Sequence, residues 1–385
     1  MLCIFEDENW GNFYPLIDLR AVFELRFGCG NFLEKFRRRY PKEKFNLWVR
    51  DEIADLVKER HPDYAVNQPV ITPTLFFSAS AVLAEMVPVK GEEELFVVNN
   101  RAVGFRLNKP CSWKPGSLGK FQLGLKERKI KAMVYHHLYE LVVNNPIELK
   151  REIRQMAKGE DGSIIRSKNV QVHRSAVISV ANGPVLLDEG CIIGPLSYIE
   201  GPAYIGKRTV IDQATVRHGC SFGPECRIGG EVECSIFQGY SNKHHEGFIG
   251  HSYIGEWVNL GALTTCSDLK NNYQPVRIQL KEKELDTGQI KLGCFIGDHC
   301  KTAIGSMIPT GAVLGTGANW YEPGVVPKSL PAFAWGKTER WRKDTVVDFC
   351  RRVMARRGVE PSRCYENLLL SLYERSLSDE PLRRR

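Results

Sequence analysis

Two adjacent histidines lie in a segment dense in polar and ionisable side chains, residues 239–271. The ordinary pKa of histidine lies near neutrality, which makes imidazole the usual general base for proton removal at that pH. Deprotonating an amine that attacks a carbonyl carbon is chemistry of this kind. Adjacent residues of a strand point to opposite sides, so one histidine of the pair is expected to face a site. We take His245 as the candidate base and His244 as its rival.

Aliphatic residues recur at every sixth position through the part of the chain that must position these histidines, residues 170–325. The series consists of Leu187, Ile193, Ile199, Ile205 and Ile211, followed after a one-residue slip by Val216, Phe222 and Ile228. This period matches neither an amphipathic helix nor a simple strand alternation. It is typical of a parallel β-helix, in which each hexapeptide forms one flat face and three faces close a coil. We predict a left-handed β-helix, an exception to the usual right-handed crossover.

The repeat is interrupted near Ser267 and resumes at Cys294. The charged segment between them is expected to leave the prism as a loop or hairpin, and loops on a rigid scaffold often carry function. The chain therefore divides into four predicted parts. These are an α/β domain at 1–125, a helical connector at 126–165, the left-handed β-helix at 166–337 and a basic helical tail at 338–385.

Short apolar runs and turn signals indicate the elements on either side of the β-helix. Strands are expected to begin at Asn46, Leu75 and Leu95. Apolar residues three and four apart favour a helix from Asn31, so the first domain is predicted to mix helices and strands. The connector is expected to be interrupted at Pro146, and the tail to form one or two helices divided near Gly358.

Composition limits the partners of this chain. The 385 residues carry a net charge of +8 at pH 7, and much of the excess lies in the tail. No nucleic-acid motif accompanies that charge, so we interpret the tail as a solvated helix face. An apolar run of about 18 residues is absent, as is a secretory signal, so no membrane span is expected. The 12 cysteines include no C-x-x-C pair, which predicts reduced thiols of a cytoplasmic protein without bound metal.

Several motifs carry a family resemblance. H-E-G-F-I-G from His245, V-N-L-G-A from Val258 and T-C-S-D-L-K-N-N-Y from Thr265 resemble the acetyltransferase domain of bifunctional bacterial UDP-N-acetylglucosamine synthesis enzymes. G-G-E-V, Y-S-N-K, G-D-H-x-K-T and W-G, from Gly229, Tyr240, Gly297 and Trp335, resemble a shorter alternative branch of that family. The resemblance implies an acetyl-CoA-dependent N-acetyltransferase acting on an amino-sugar phosphate or nucleotide sugar. It also implies uridylyltransferase-type activity, with Mg²⁺, in the N-terminal domain.

The resemblance and the residue chemistry together suggest roles for side chains of this segment. We expect His245 and Asn259 to be catalytic. The substrate-binding candidates are Arg217, Asn242, Lys243, Lys270 and Asn271. The candidates for contact with the CoA arm are Ala262 and Asp298. Two differences from the longer enzymes leave the acceptor open, since Phe248 replaces their tyrosine and Glu233 or Cys234 falls where they have a lysine.

The N-terminal domain lacks the glycine-rich L-x-x-G-x-G-T-R-M loop of ordinary sugar nucleotidyltransferases. Its segment from Asn12, N-F-Y-P-L-I-D-L-R-A-V-F-E-L-R-F-G, resembles the opening of the alternative branch. Arg20 and Arg26 are the candidates there for contacts to nucleotide phosphates. A purely structural role for both arginines remains the alternative.

Two other functions are compatible with the same fold. One is a non-catalytic trimeric protein that binds a nucleotide sugar. The other is a zinc enzyme of the γ-carbonic anhydrase type, for which the histidines are His218, His244, His245, His251 and His299. Because packing flat prism faces side by side buries them, we expect a homotrimer with active sites between subunits.

Overall fold

The computed structural model describes residues 1–70, 74–108, 124–157, 163–280, 283–378 and 383–384. The chain forms two compact units. The N-terminal unit contains residues 1–13, 19–25 and 30–138. The β-helix unit contains residues 14–18, 26–29 and 139–385.

A seven-stranded mixed sheet forms the centre of the N-terminal unit. Its strands in spatial order are Lys126–Lys129, Glu94–Val98, Arg101–Leu107, Thr74–Ser78, Leu2–Phe5, Phe45–Trp48 and Ala65–Val66. Leu2–Phe5 pairs in parallel with both of its neighbours. Further elements are the antiparallel strands Ala81–Leu83 and Ala132–Val134, and the 3-10 helices Trp10–Phe13, Val22–Glu24 and Asp51–Ile53. The predicted mixture of strands and helices is confirmed.

Two α-helices, α1 (Phe32–Arg39) and α2 (Ala54–Arg60), belong to this unit. Helix α1 begins where the sequence predicts, because the Asn31 side chain accepts a hydrogen bond from the Glu34 amide at 2.8 Å. The Glu34 carboxylate in turn accepts one from the Asn31 amide at 2.9 Å. This reciprocal arrangement satisfies two amide groups that the first helical turn leaves without partners.

The β-helix has three parallel faces. Face one consists of Ile164–Arg166, Val185–Leu187, Ala203–Ile205, Cys220–Phe222, Ile236–Gly239, Tyr253–Glu256, Phe295–Ile296, Val313–Leu314 and Ser329–Leu330. Face two consists of Gln171–Val172, Ile192–Ile193, the first halves of Val210–Val216 and Arg227–Glu233, then Asn242–Lys243, Asn259–Leu260, Lys301–Thr302, Asn319–Trp320 and Ala334–Trp335. Face three consists of Val177–Ser179, Tyr198–Glu200, the second halves of the same two long strands, Phe248–Gly250, Thr265–Cys266 and Met307–Ile308.

The six-residue aliphatic series forms the interior of this left-handed β-helix. Ile205 pairs with Leu187 in one neighbouring coil and with Phe222 in the next, and all three side chains are fully buried. Burial of each such side chain contributes about 1.5–3 kcal/mol. Cys220 and Cys226, in step with the repeat, are also fully buried, and burial raises the pKa of both thiols.

Two corners of the coil contain His244 and His245 (corner A) and His218 and His251 (corner B). Corner A joins face two to face three and contains residues 194–197, 212–213, 229, 244–247, 261–264 and 303–306 in successive coils. Corner B joins face three to face one of the next coil and contains residues 201–202, 217–219, 234–235, 251–252 and 267–293. Corner B is enlarged at 267–293, where Arg277–Leu280 and Lys283–Asp286 form an antiparallel hairpin. The predicted interruption of the repeat is therefore confirmed.

Three further α-helices, all in the β-helix unit, correct part of the connector prediction. Helix α3 (Leu138–Met156) runs through Pro146 without interruption. Burial of side chains before and after the proline, such as Val142 and Leu149, offsets the intrahelical hydrogen bond that proline cannot donate. Residues 126–137 form strands in the N-terminal unit and not a helix.

The tail forms α4 (Lys343–Ala355) and α5 (Arg363–Ser376), divided at Gly358 as predicted, where φ is +66°. The short strands Glu339–Arg340 and Arg383–Arg384 pair beside them. The β-helix unit also contains the two-residue strand Arg26–Phe27, whereas the strand Gly30–Asn31 belongs to the N-terminal unit. None of the helices in the described ranges is both long and apolar enough to cross a membrane.

Candidate functional site

The two adjacent histidines lie in corner A of the β-helix. His244 and His245 are both exposed, with ring centroids 5.1 Å apart. Strand alternation does not apply to them, because they follow Asn242–Lys243 and precede Phe248–Gly250 without belonging to either strand. Both side chains are therefore exposed within one chain, and the expectation that one of the two faces the site stays a prediction.

Apolar side chains occupy the same corner in other coils. Leu196, Leu263 and Ile304 are 74%, 58% and 75% exposed. The Leu263 amide donates to the Glu246 carbonyl at 2.8 Å, so this leucine lies directly beside the histidine coil. Ala262, the predicted CoA contact, precedes it and is half-buried. Such a row of large exposed apolar side chains is typical of a surface that binds a partner or ligand.

Asn242 and Asn259 lie side by side on face two. The two residues are register partners in adjacent coils, and the Asn242 amide donates to the Asn259 side-chain oxygen at 3.3 Å. Arg357, just after α4, donates to the Asn242 side-chain oxygen at 2.7 Å. The sequence predicted both asparagines as site residues but gave no indication of Arg357, because 115 residues separate it from its partner.

Two of the predicted contact residues are inside the coil. Lys243 is 2% exposed and donates to the Gly229 carbonyl at 2.9 Å, and burial lowers its pKa to about 8. Asp298 is 1% exposed, and its carboxylate accepts a hydrogen bond from the Glu256 amide at 2.7 Å. Both side chains thus form contacts between neighbouring coils within one chain, and their predicted ligand contacts stay predictions.

The remaining substrate-binding candidates lie at corner B. Arg217 is exposed and forms an ion pair with Glu231. The hydrogen bond and the negative charge of Glu231 raise the pKa of the Arg217 guanidinium. Lys270 donates to the Pro275 carbonyl at 2.6 Å within the insertion, and the neighbouring Asn271 is exposed. Within one chain, therefore, the predicted substrate residues do not converge on His245.

A histidine–carboxylate pair at corner B was not predicted. His251 Nδ1 lies 2.7 Å from an Asp268 carboxylate oxygen, and both side chains are largely buried. Burial acts to raise the pKa of Asp268, but the hydrogen bond and charge of His251 outweigh it and lower that pKa. The two residues are 17 positions apart, which is close to three hexapeptides. Counting positions by whole coils would have found the pair.

A second polar cluster lies in the N-terminal unit, at the carboxyl end of Leu2–Phe5. Glu6 accepts a hydrogen bond from the Arg50 guanidinium at 2.7 Å, and Asp7 accepts one from the Ser78 hydroxyl at 2.7 Å. After Leu2–Phe5 the chain forms Phe45–Trp48 on one side of this strand, and it later forms Thr74–Ser78 on the other side. In open parallel sheets, ligands bind at such a reversal of strand order.

The two arginines predicted to bind nucleotide phosphates belong to different units. Arg20 is 2% exposed within the N-terminal unit, and its carbonyl accepts a hydrogen bond from Arg50 at 3.1 Å. Arg26 belongs to the β-helix unit, where its guanidinium lies 5.3 Å from the centroid of the Tyr204 ring. Both side chains are engaged in packing, which favours the structural alternative for the pair.

Comparison with known proteins connects these features. Residues 2–161 match the family model of sugar nucleotidyl transferases. The bifunctional sugar-1-phosphate nucleotidylyltransferase/acetyltransferase of Sulfurisphaera tokodaii is 35% identical over 106 residues, covering 27% of this chain and 26% of that protein. The bifunctional protein GlmU of Methanocaldococcus jannaschii is 27% identical over 155 residues, covering 36% of this chain and 34% of that protein. The chain thus aligns with only about a quarter to a third of each relative's length.

The acetyltransferase domain of PglB from Neisseria gonorrhoeae, solved with acetyl coenzyme A, is 13% identical and covers 69% of this chain and 90% of that one. Its TM-score is 0.22. The resemblance predicted from sequence motifs is nevertheless confirmed by the family model and the two relatives. The chain is similar to bifunctional sugar-1-phosphate nucleotidyltransferase/acetyltransferases, and its first 161 residues carry the match to the sugar nucleotidyl transferase family.

Proposed function

We propose that this chain is an acetyl-CoA-dependent N-acetyltransferase that acts on an amino-sugar phosphate or a nucleotide sugar. The observation that carries this proposal is corner A of the β-helix. There an exposed histidine pair stands in line with the exposed apolar side chains of Leu263 and Ile304. An apolar surface beside an imidazole base suits a thioester whose carrier arm is long and largely uncharged.

In this reaction the neutral amine of the sugar attacks the thioester carbonyl carbon. The nitrogen–carbon bond forms and the carbon–sulfur bond breaks. His245 accepts the proton that the attacking nitrogen loses, and the CoA thiolate leaves and takes up a proton. The ring of His245 forms no hydrogen bond with a described residue, so both of its nitrogens are available to a ligand. Proton transfer by a positioned histidine contributes about 10²–10⁴-fold to a rate.

The active form is proposed to be a homotrimer with its sites between subunits. Exposed apolar residues at corner A and along face three support this arrangement. They are Val177, Leu196, Leu263, Ile304, Met307 and Val325. Covering that surface with a second copy would remove these side chains from water and bring new groups to His245. The second copy would also supply substrate contacts, because the predicted substrate-binding residues of a single chain do not converge on His245.

For the N-terminal unit we propose nucleotidyl transfer to a sugar 1-phosphate, at the polar cluster after Leu2–Phe5. Glu6 is neutralised by Arg50, whereas each Asp7 oxygen accepts a hydrogen bond from a neutral donor, the Ser78 hydroxyl or the Asn9 amide. Neither donor neutralises the Asp7 carboxylate, so it fits a magnesium ion, which prefers one or two carboxylates together with substrate phosphates. When bound, the ion would neutralise charge on the nucleotide phosphates.

A two-part substrate screen tests both activities. The full chain is incubated with acetyl-CoA and a panel of amino-sugar phosphates and nucleotide sugars, and release of free thiol is followed. A second series contains UTP, Mg²⁺ and sugar 1-phosphates, and release of pyrophosphate is followed. Binding of a nucleotide sugar without release of thiol or pyrophosphate would instead favour the non-catalytic alternative.

A further inference from the structure

Corner B holds a cluster of three metal-ligating side chains, one coil away from His251. His218, Glu233 and Cys234 each place one donor atom within 4.8 Å of the donor atoms of the other two. The Cys234 sulfur lies 3.5 Å from His218 Nε2. These residues include none of the side chains placed at corner A, so the cluster is separate from the proposed acyl-transfer site.

The backbone of the β-helix fixes the cluster. The Cys234 amide donates to the His218 carbonyl at 3.0 Å, so the two residues are held one above the other in successive coils. Cys234 has a left-handed backbone with φ of +42°, which turns its side chain at the corner while the thiol stays 5% exposed. His218 and Glu233 are only half-buried, so the cluster is not sealed from solvent.

From this geometry we propose that His218, Glu233 and Cys234 bind one divalent transition-metal ion of the zinc class. Imidazole, carboxylate and thiolate are the ligands that zinc takes in proteins, and three protein ligands with an open position make a familiar four-coordinate site. On binding, the Cys234 thiol gives its proton to solvent as the sulfur–metal bond forms. The combination of a soft sulfur with nitrogen and oxygen disfavours magnesium and calcium, which prefer oxygen ligands alone.

The charges around the cluster favour a cation. Three carboxylates, Glu233, Asp268 and Glu200, place negative charge around the Cys234 sulfur, and the positive charge of Lys291 acts against them. The Lys291 ammonium lies 3.8 Å from a Glu233 oxygen and is 50% exposed. Such an ion pair is weak in water. Lys291 therefore competes with a metal ion for Glu233 and is the group that the ion would displace.

Cobalt titration of the full chain tests the site without any assay of activity. Co²⁺ is added under anaerobic conditions to protein kept reduced with a phosphine, and absorption is recorded. A cobalt–thiolate bond produces a charge-transfer band in the near ultraviolet. We expect saturation at one Co²⁺ per chain, and displacement of the ion by Zn²⁺.

Variants identify the ligands. Cys234→Ser should abolish the charge-transfer band, while Cys364→Ser, at a half-buried cysteine of α5, should leave it unchanged. His218→Ala and Glu233→Gln should each weaken binding more than tenfold, because changes to groups that merely support metal ligands already cost about 10–100-fold. Glu233→Gln preserves the size of a half-buried side chain, so it also covers the case in which Cys234→Ser fails to fold. Lys291→Ala should tighten binding.

The proposal is overturned by absence of saturable Co²⁺ uptake, or by a band of equal strength in Cys234→Ser. Unchanged affinity in both His218→Ala and Glu233→Gln would also overturn it. Acetyl transfer can fail while the metal binds, and the reverse, so neither result depends on the proposed function.

Discussion

Truncating His245 to alanine is expected to slow acetyl transfer by about 10²–10⁴-fold, the range of a general-base contribution. Each factor of ten corresponds to about 1.36 kcal/mol of barrier, so the expected increase is about 2.7–5.4 kcal/mol. The structure allows this effect to be separated from folding. The His245 side chain is exposed, and among the described residues its ring contacts only that of His244. Surface changes of this kind usually alter the free energy of unfolding by less than about 0.5 kcal/mol.

The assay is thiol release from acetyl-CoA with the acceptor found in the screen, measured across a pH range on both sides of neutrality. The wild-type rate should fall on the acidic side as the base becomes protonated, and the His245→Ala variant should lose this acidic limb. CoA binding, measured by calorimetry, should change little, because the imidazole acts on the amine and not on the carrier. His244→Ala, whose side chain is also exposed, is the matched comparison, and assignment of the base to His245 requires a smaller loss of rate in this variant.

Three other outcomes would refute this assignment. If His244→Ala is inactive and His245→Ala is close to wild type, the base is the neighbouring residue. If only His251→Ala loses activity, the reaction takes place at corner B, where Asp268 orients that imidazole. Rates that no histidine change affects would exclude the general-base mechanism.

The remaining predictions concern assembly, the N-terminal unit and the buried lysine. Ile304→Glu should reduce the molar mass measured by light scattering to that of a monomer. Met86→Glu, at an exposed apolar site of the other unit, should leave the molar mass unchanged. A monomeric wild-type protein would contradict the proposed trimer. Asp7→Asn should abolish pyrophosphate release and preserve thiol release, and equal loss of both would indicate misfolding. Burial lowers the Lys243 pKa from 10.5 to about 8, so the folded protein releases this proton at a lower pH than the unfolded chain does. The free energy of unfolding should therefore rise with pH between about 8 and 10.5. Lys243→Met should reduce this rise in denaturant titrations without changing KM for the acceptor, and a raised KM would restore a substrate role for Lys243. Lys270→Met, at a half-buried lysine of the insertion, is the control for the denaturant titrations alone.

The repeat architecture was predictable because a buried position every six residues leaves a direct trace in the sequence. Helix α1 was predictable for a local reason, the Asn31 cap. The assignment of residues 14–18 and 26–29 to the β-helix unit was not predictable, because it depends on distant contacts. One example is the Tyr253 hydroxyl, which donates to the Arg26 carbonyl across 227 residues.

The site was less predictable than the scaffold. Motif spacing located the histidine segment, but whether a side chain points inward depends on where each strand ends and each corner begins. Lys243 ends a strand and points inward, whereas His244 begins a corner and points outward. Predicting the His251–Asp268 pair would have required the number of residues in that coil. This number varies by a residue or more at the corners.

The most direct test of the central claim is the mass of the product. The full chain is incubated with acetyl-CoA carrying a deuterated acetyl group and with each amino-sugar phosphate or nucleotide sugar, and the acceptor is analysed by mass spectrometry. We predict a single product that carries one deuterated acetyl group on its amine, formed by wild-type protein and almost lost in His245→Ala. Unlabelled acceptor throughout the panel, with wild-type protein that is folded and binds CoA, would contradict the proposed function.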